Sequence, residues 1–341
     1  MKLSPPLRGL SAAAPQVEPG AGRLRGVSGE SEFWRDLLAG LARTPRSVPP
    51  KYFYDAAGSA LFDRICELPE YYPTRTELRI LTEHAPEMAA EIGPHAELVE
   101  FGAGSLTKVR LLLDAFDASE APRRYVPIDI SGDHLESAAQ RLRAEYPAMA
   151  VQPVVADYTL PSLLPAPAVG TGQRVGFFPG STIGNFLPGE ALSFLQLAAR
   201  MLRGGGMLVG VDLVKDPARL HAAYNDAQGV TAAFNLNLLR RANLELDADF
   251  DLEGFMHYAY YDPLLRRIEM HLVSRCAQTV RVAGERFAFE EGETIHTENS
   301  HKFTVDGFRR LAAQAGFRPG PVWTDDARLF SVHWLRAPAA Q

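Results

Sequence analysis

The segment LVEFGAGSLTK, residues 98–108, has the pattern of a buried strand followed by a ligand-binding turn. Two glycines, Gly102 and Gly104, come one residue apart directly after the apolar run, and a polar turn with Lys108 follows. In a parallel sheet, such a turn places backbone N–H groups and a helix N-terminus against a ligand. Because Thr107 stands where a dinucleotide fingerprint has its third glycine, a tight strand–helix turn without a ligand remains the alternative.

Apolar runs and helical patterns alternate after this turn. The order is RYVPIDI, GDHLESAAQRLRAEYP, VQPVVADY, RVGFFPG, GEALSFLQLAARML and GGGMLVGVDLV. This alternation predicts a parallel, doubly wound α/β sheet. After Asp216 the pattern changes to a helical stretch over 217–245 and then to several antiparallel strands, before a helix and a strand hairpin end the chain. The sequence therefore predicts a nucleotide-binding domain that is interrupted by an insertion.

Composition excludes several classes of protein. The chain has 341 residues and a formal net charge of −6, which argues against nucleic acid or an anionic membrane as the main partner. Its two cysteines, Cys66 and Cys276, are far apart and form no CxxC motif, so a reducing cytoplasm is expected. Residues 1–27 are rich in Pro, Gly and Ala, and they predict a flexible leader without a signal-peptide core.

Acidic side chains end the first three predicted strands. Glu100 ends the first, Asp129 the second and Asp157 the third, with Tyr158 beside it to cover a base. Acids at this edge suit a ligand with ribose hydroxyls, an adenine and a positive charge, and they suit a pyrophosphate poorly. The terminal helix and hairpin also fit the seven-stranded sheet of class I S-adenosylmethionine-dependent methyltransferases. We therefore favour S-adenosylmethionine over NAD.

A polar loop, PGSTIGN at residues 179–185, follows the fourth predicted strand. It is not the hydrolase G-x-S-x-G motif, because Ser181 directly follows Gly180. Asn185 at its end has two possible roles, which the sequence leaves open: it holds a carboxylate or an amine, or it caps the next helix.

A second polar motif, HTENS, lies in the predicted insertion. On a strand, Glu298 and Ser300 fall on one face, where they either line a pocket or lie on an exposed edge. Tyr54 and Tyr71 occur in polar, aromatic-rich segments and are expected to line a cleft rather than to fill a core.

No metal site is expected from the histidines. His296 and His301 are five residues apart, so on one strand they point to opposite faces. The other histidines that we considered, His221, His257 and His271, are isolated in the sequence and are expected to be structural or exposed.

Long motifs together carry a family resemblance. They are PPKYFYDAAGSALFDRICELPEYYPTRTE, FGAGSLTK, PGSTIGN, VDLVKDPARLHAAYNDAQGVTAAFN, RRIEM and HTENSHKF. Over roughly residues 30–337 the chain closely resembles the histidine-specific S-adenosylmethionine-dependent methyltransferases. The resemblance implies three successive methylations of the α-amino group of L-histidine. Their product is hercynine, an intermediate of ergothioneine biosynthesis.

The resemblance also implies roles for individual residues. It implies that the cofactor is bound by Tyr54, Gly102, Lys108, Asp129, Asp157 and Tyr158. It implies that the substrate is bound by Tyr71, Gly180, Asn185, Tyr224, Met270, Glu298 and Ser300. Within these sets Tyr54 lies where donor and amine meet, Asn185 and Tyr224 hold the carboxylate, and Tyr71, Glu298 and Ser300 clamp the imidazole. Tyr54, Asn185 and Tyr224 are the implied catalytic residues. Asn299 departs from the small apolar residue usual there, but it should point away from the pocket.

The implied fold is a class I, Rossmann-like seven-stranded sheet with an inserted α+β substrate-binding domain. The methyltransferase domain is expected over residues 76–214 and 303–337, and the substrate-binding domain over 28–75 and 215–302. We expect a cytoplasmic monomer whose partners are small molecules, with neither nucleic acid nor a membrane among them.

Three alternatives remain. The first is the same methyl transfer to tryptophan or another aromatic amino acid. Glu298 and Ser300 argue against it, since an indole offers one hydrogen-bond donor and no second polar atom for them to bind. The second is a non-catalytic cofactor-binding module, which has no need for Asn185, Tyr224 and Glu298 together. The third and most distant is a dehydrogenase.

Overall fold

The computed structural model describes residues 31–104, 106–160 and 165–339. The predicted leader over residues 1–27 lies outside them. The helices are α1 (Glu32–Leu41), α2 (Ala56–Glu67), α3 (Tyr72–Ile92), α4 (Thr107–Leu113), α5 (Gly132–Glu145), α6 (Pro188–Met201), α7 (Pro217–Tyr224), α8 (Val230–Glu245) and α9 (Val305–Gln314). The strands are β1 (Arg46–Ser47), β2 (Glu97–Phe101), β3 (Arg124–Asp129), β4 (Ala150–Val151), β5 (Val154–Val155), β6 (Arg174–Phe178), β7 (Gly206–Asp212), β8 (Phe255–Asp262), β9 (Arg267–Ser274), β10 (Gln278–Val282), β11 (Glu285–Phe289), β12 (Thr294–His301), β13 (Arg318–Thr324) and β14 (Phe330–Arg336).

The larger sheet has the order β13-β14-β7-β6-β2-β3-β4, and β5 also pairs with β3. Its central strands are parallel, whereas β14 runs antiparallel to both β7 and β13. Successive residues of β2 face opposite apolar layers: Leu98 packs with α3, α4 and α5, and Val99 packs with α6 and α9. Helices therefore cover both faces, as a fully buried parallel strand requires.

One predicted strand is split in two. The segment VQPVVADY forms β4 and β5, with Pro153 between them. Proline has no backbone N–H to donate, so it interrupts the ladder that β3 makes with this segment.

The strand order places a crevice at one edge of this sheet. The chain runs from β2 to β3 and on to β5, and then crosses back to β6 on the other side of β2. Ligands of open α/β sheets bind outside the carboxyl ends of the strands at such a reversal. The loops that begin at Gly102 and Pro179 meet at this point.

A smaller sheet, β1-β12-β9-β8, forms beside it, with β10 and β11 as a separate hairpin. Residues of α1, α2 and α8 share one apolar cluster with this sheet, so the aromatic N-terminal segment packs on the insertion. Asp55 links the N-terminal segment to the insertion. Its carboxylate caps α2 by accepting from Gly58 N at 2.6 Å, and it also accepts from the Asn237 side chain of α8 at 2.8 Å. The helical stretch predicted over 217–245 is two helices, broken where Gly229 has a φ of 70°.

The two sheets meet where β7 and β12 end. Leu213 and Phe303 form a parallel bridge, and Phe303 N donates to the carbonyl of Asp212 at 3.0 Å. The polar ends of β6, β7 and β12 therefore face one another. Across the described ranges, no helix is both long and apolar enough to span a bilayer.

Candidate active site

The glycine loop and the end of β3 are held together by one carboxylate. Gly102 and Gly104 have φ values of 71° and 44°, which is why the turn needs glycine. Asp129 accepts from Gly104 N at 3.3 Å through Oδ2 and from Ser131 N at 2.8 Å through Oδ1. These bonds fix the carboxylate at the crevice, where its remaining lone pairs are available to ribose hydroxyls.

Tyr158 and Asp157 lie on the other side of this edge. The Tyr158 ring packs edge-on against Phe101 and Phe178, and a Cβ at Gly102 would lie 3.6 Å from it. Asp157 is 3.7 Å from the ammonium of Lys51. The N-terminal segment therefore reaches the edge of the sheet at which the glycine loop lies, a contact that the sequence did not reveal.

Lys108 and Gly180 are linked by Glu77, which sequence reasoning missed. Lys108 Nζ lies 2.7 Å from the buried Glu77 carboxylate, and that carboxylate also accepts from Gly180 N at 2.9 and 3.0 Å. Because its N–H is already bonded, Gly180 has only its carbonyl oxygen to offer a ligand. That carbonyl is an acceptor, as contact with an amino group requires.

Glu100 is not part of the ligand edge. Its side chain is buried and accepts a hydrogen bond from the Tyr125 hydroxyl, and burial raises its pKa to about 8. The acid that ends the first predicted strand is therefore a component of the core.

A separate enclosed pocket lies between the ends of β6, β7 and β12. Most of the residues expected to bind the substrate line it, together with Phe62, Pro73, Ser181, Thr182 and Asp212. These expected substrate-binding residues are Tyr71, Gly180, Asn185, Tyr224, Glu298 and Ser300. Tyr54, which was expected to bind the cofactor, lines the pocket with them. The pocket thus brings together side chains that are far apart in the sequence.

Asn185 ends the short 3₁₀ helix Thr182–Asn185 at this pocket. The next helix, α6, has Leu187 at its N-cap position, so the interpretation of Asn185 as a helix cap is wrong. Among the described residues, the Asn185 side chain makes no hydrogen bond within the chain, so its amide is free to bind a ligand. Tyr224, the last residue of α7, donates from its hydroxyl to Ser300 Oγ at 2.7 Å.

Glu298 and Ser300 project from β12 into the same pocket, just after a bulge at His296. Burial raises the pKa of Glu298 to about 7, and the nearby Lys302 ammonium opposes this rise. Met270 is buried directly opposite Glu298 on β9, but it does not itself line the pocket that the described residues enclose.

Two tyrosines complete the pocket. The Tyr71 ring packs edge-on against Tyr224, with 6.3 Å between centroids. Tyr54 lies between the glycine-loop edge and this pocket. Burial raises the pKa of its hydroxyl well above the usual value, and the nearby charges of Glu298 and Asp129 raise it further. Its hydroxyl therefore stays protonated at neutral pH.

A buried charge network behind the pocket was not foreseen. Lys302 Nζ lies 2.8 Å from Asp212 Oδ2, and the other carboxylate oxygen of Asp212 pairs with Lys215 and accepts from the Tyr72 hydroxyl. Asp212 is the last residue of β7. An acid at the carboxyl end of a predicted strand was therefore the sequence feature that could have indicated this network. Lys302 follows Ser300 by two residues, which on a strand places both side chains on one face.

Three potential metal ligands also lie together, on the opposite face of the smaller sheet. The ligand atoms of Glu269, His271 and His296 are all within 4.8 Å of one another. His271 and His296 are paired across β9 and β12, a proximity that sequence separation conceals. The Arg267 guanidinium donates to Glu269 Oε1 at 2.5 Å, so the charge of this carboxylate is already balanced by a side chain.

The fold and these two compartments define a class I S-adenosylmethionine-dependent methyltransferase, as predicted. The antiparallel β14 beside β7 and the Asp129 carboxylate at the glycine loop agree with the sheet and the acidic edge that the sequence predicted.

The chain belongs to the family of histidine-specific, SAM-dependent methyltransferases, whose model matches residues 33–337. It is 46% identical over 301 residues to a histidine N-alpha-methyltransferase of Mycolicibacterium smegmatis, covering 87% of this chain and 92% of that protein. It is 34% identical to ergothioneine biosynthesis protein 1 of Neurospora crassa, covering 82% of this chain and 32% of that protein. A 4-dimethylallyltryptophan N-methyltransferase of Arthroderma benhamiae is 26% identical, over 87% of this chain and 91% of that protein.

Proposed function

We propose that this enzyme transfers methyl groups from S-adenosylmethionine to the α-amino nitrogen of L-histidine, three times in succession, to give hercynine. One observation carries the proposal: Glu298 and Ser300 share an enclosed pocket with Asn185 and Tyr224, beside the glycine-loop edge. The first pair suits an imidazole with two polar nitrogens, and the second suits a carboxylate. The mycolicibacterial relative is a histidine N-alpha-methyltransferase, which supports the same assignment.

The residues of the glycine-loop edge fit S-adenosylmethionine. Asp129 faces the crevice with a carboxylate that backbone N–H groups orient, and Gly102 leaves room beside the Tyr158 ring for an adenine. When bound, S-adenosylmethionine supplies a methyl group on a sulfonium that is already activated for displacement. Asp157 completes the acidic edge, and Lys108 contributes to the loop through its pair with Glu77.

Positioning is the main task of this chain. Asn185 and Tyr224 hold the carboxylate, Tyr71, Glu298 and Ser300 hold the ring, and Tyr54 orients the amine at the junction. The Gly180 carbonyl accepts from the amine, which must rotate between transfers while the other anchors stay in place.

Each transfer before the last requires the amine to lose a proton, since only its neutral form is nucleophilic. Burial raises the pKa values of Tyr54, Tyr71 and Tyr224, so none of these phenols is a ready base at neutral pH. We therefore assign proton removal to water at the mouth of the pocket.

The apolar clusters support a division into two domains. We propose a methyltransferase domain over residues 76–214 and 303–337 and a substrate-binding domain over 28–75 and 215–302, in line with the separate apolar clusters. We also propose a cytoplasmic monomer. Its thiols at Cys66 and Cys276 are free, and size-exclusion chromatography with light scattering tests its oligomeric state.

Incubation with labelled S-adenosylmethionine and a panel of amino acids tests the function. We expect histidine to gain one, two and three methyl groups in sequence, read by mass, with the label on the α-nitrogen. Preferential methylation of tryptophan would support the alternative acceptor. The Arthroderma benhamiae relative, a 4-dimethylallyltryptophan N-methyltransferase, is named for a substituted tryptophan. A lack of product with every amino acid, despite cofactor binding, would support a non-catalytic module.

Replacing Asp129 by alanine should weaken binding of S-adenosylhomocysteine by about 1–3 kcal/mol, because the ribose donors lose a buried acceptor. Isothermal titration calorimetry measures the affinity, and circular dichroism checks the fold. Glu136→Ala is the matched control, since it removes the same charge from the exposed side of the adjacent helix α5. Equal affinity of Asp129→Ala and wild type for S-adenosylhomocysteine would contradict the assignment of this edge to the cofactor. Tight binding of NAD would support the alternative that the protein is a dehydrogenase.

A further inference from the structure

Lys302 is a buried cation in direct contact with two proposed substrate-binding residues. Its ammonium lies 2.8 Å from Asp212, 2.7 Å from Ser300 Oγ and 3.3 Å from the Tyr224 hydroxyl. Its side chain is 0% exposed. Because an ammonium has three N–H donors, these three partners use all of them. Lys302 therefore has no donor left for a substrate and acts only through its neighbours.

The hydroxyl hydrogens can be counted. Ser300 and Tyr224 each have one hydrogen, and Lys302 donates to the oxygen of each, so it occupies acceptor capacity on both. The two oxygens are 2.7 Å apart and share one hydrogen between them. Whichever hydroxyl donates within the pair, one hydrogen remains. Without a substrate the pair therefore presents one donor to the pocket. When the substrate brings an acceptor to each hydroxyl, the hydrogen between the two oxygens also turns to the substrate, because Lys302 continues to donate to both oxygens.

We infer that Lys302 is a positioning residue that makes Tyr224 and Ser300 hydrogen-bond donors toward the substrate, and that it thereby selects a ring with an unprotonated nitrogen. This inference rests on the proposed function, in which Ser300 faces the imidazole and Tyr224 the carboxylate. A carboxylate accepts at Tyr224. The unprotonated nitrogen of a neutral imidazole accepts at Ser300, while its N–H donates to Glu298.

Other rings do not match this arrangement. An imidazolium has two donors and no acceptor, so one of its N–H groups would meet a donor at Ser300, close to the positive charge of Lys302. A pyrrole or an indole has one N–H and no acceptor nitrogen, so the ring offers no acceptor to the Ser300 hydroxyl. A site whose buried polar groups lose their partners rejects such analogues.

The network contains its own control. Lys215 pairs with the same carboxylate, Asp212, but through the other oxygen, and its remaining contacts are the Tyr72 hydroxyl and the Leu213 carbonyl. Within the described part of the chain it touches neither Ser300 nor Tyr224. Replacing either lysine by methionine therefore removes one buried charge from Asp212, but only Lys302→Met frees the hydroxyl pair.

The test measures kcat/KM for histidine and for two kinds of ring analogue on wild type, Lys302→Met and Lys215→Met. The pyrrol-2-yl and pyrrol-3-yl alanines keep an N–H at one or the other ring position and lack the acceptor nitrogen. The thiazol-4-yl and thiazol-5-yl alanines keep the acceptor nitrogen and lack the N–H. Lys302→Met leaves Asp212 paired with Lys215. If this variant does not fold, the triple variant Asp212→Asn with Lys215→Met and Lys302→Met removes the carboxylate together with both of its cations.

In Lys302→Met we expect the preference for histidine over the better pyrrolylalanine to fall by about 10-fold, the effect of one hydrogen bond. The preference of this variant for histidine over the better thiazolylalanine should be unchanged, since these two substrates differ in the ring N–H, which Glu298 accepts. Lys215→Met should keep both preferences. The inference is overturned if both preferences fall together, if neither changes, or if Lys215→Met has the same effect. Wild-type enzyme that does not methylate histidine would instead refute the proposed function.

Discussion

Replacement of Glu298 by alanine is expected to lower kcat/KM for histidine by about two orders of magnitude. The carboxylate accepts the ring N–H in the proposed complex, and alanine leaves that donor without a partner inside a closed pocket. The same change removes the negative charge of Glu298, which an indole cannot neutralise, and it creates space in the pocket. Relative activity on tryptophan should therefore rise.

Met270→Val should enlarge this effect. Met270 is directly opposite Glu298 on the neighbouring strand, and residues paired in this way have side chains on the same face with Cβ atoms about 5 Å apart. Shortening Met270 gives the larger indole ring room behind the site of the lost carboxylate. A competition assay with equimolar histidine and tryptophan, read by mass, compares wild type with each single variant and the double variant.

Asn299→Ala is the matched control for this series. Asn299 is adjacent to Glu298, but its side chain faces the other side of β12, where it contacts His296 Nε2 at 3.1 Å. This variant should keep the preference of the wild type. The role of Glu298 as reader of the ring is refuted if wild type prefers tryptophan, or if the double variant keeps its full preference for histidine.

The sequence predicted the larger sheet well because its signals are local. A buried strand, a glycine turn and a helix follow one another within LVEFGAGSLTK, and the same unit recurs downstream. The split between β4 and β5 was also detectable, because Pro153 lies within the strand. The break between α7 and α8 was missed although its signal was local, since Asn225, Asp226 and Gly229 favour a turn over the interior of a helix.

The proposed site was harder to predict because its contacts are between distant elements. The residue types at Asn185, Glu298 and Ser300 indicated a polar pocket, and the family resemblance supplied their roles. The ion pair of Lys302 with Asp212 joins the residue that follows β12 to the last residue of β7 in the other sheet, so no spacing in the sequence reveals it. Glu100 shows the converse error: an acid at a strand end faced the core because Tyr125 on the next strand donates to it.

Histamine, which lacks the carboxylate of histidine, should be a very poor substrate. Asn185 and Tyr224 each make a charge-assisted hydrogen bond to the carboxylate in the proposed complex, and each such bond contributes about 1.5–3 kcal/mol. Losing both costs about 3–6 kcal/mol, or roughly 10²- to 10⁴-fold in kcat/KM. The free end of histamine also no longer fixes the amine at the junction near Tyr54.

The variant Asn185→Ala distinguishes a loss of carboxylate recognition from a disruption of the local fold. The Asn185 amide has no hydrogen bond within the described chain, so its removal leaves no other buried group without a partner. In this variant kcat/KM for histidine should fall by about 10- to 100-fold, the effect of one bond to a charged group, while the low rate with histamine should hardly change. Methylation of histamine as fast as histidine by wild type would show that the carboxylate is not recognised. An equal loss with both substrates in Asn185→Ala would show that Asn185 supports the fold of the loop rather than binding the substrate.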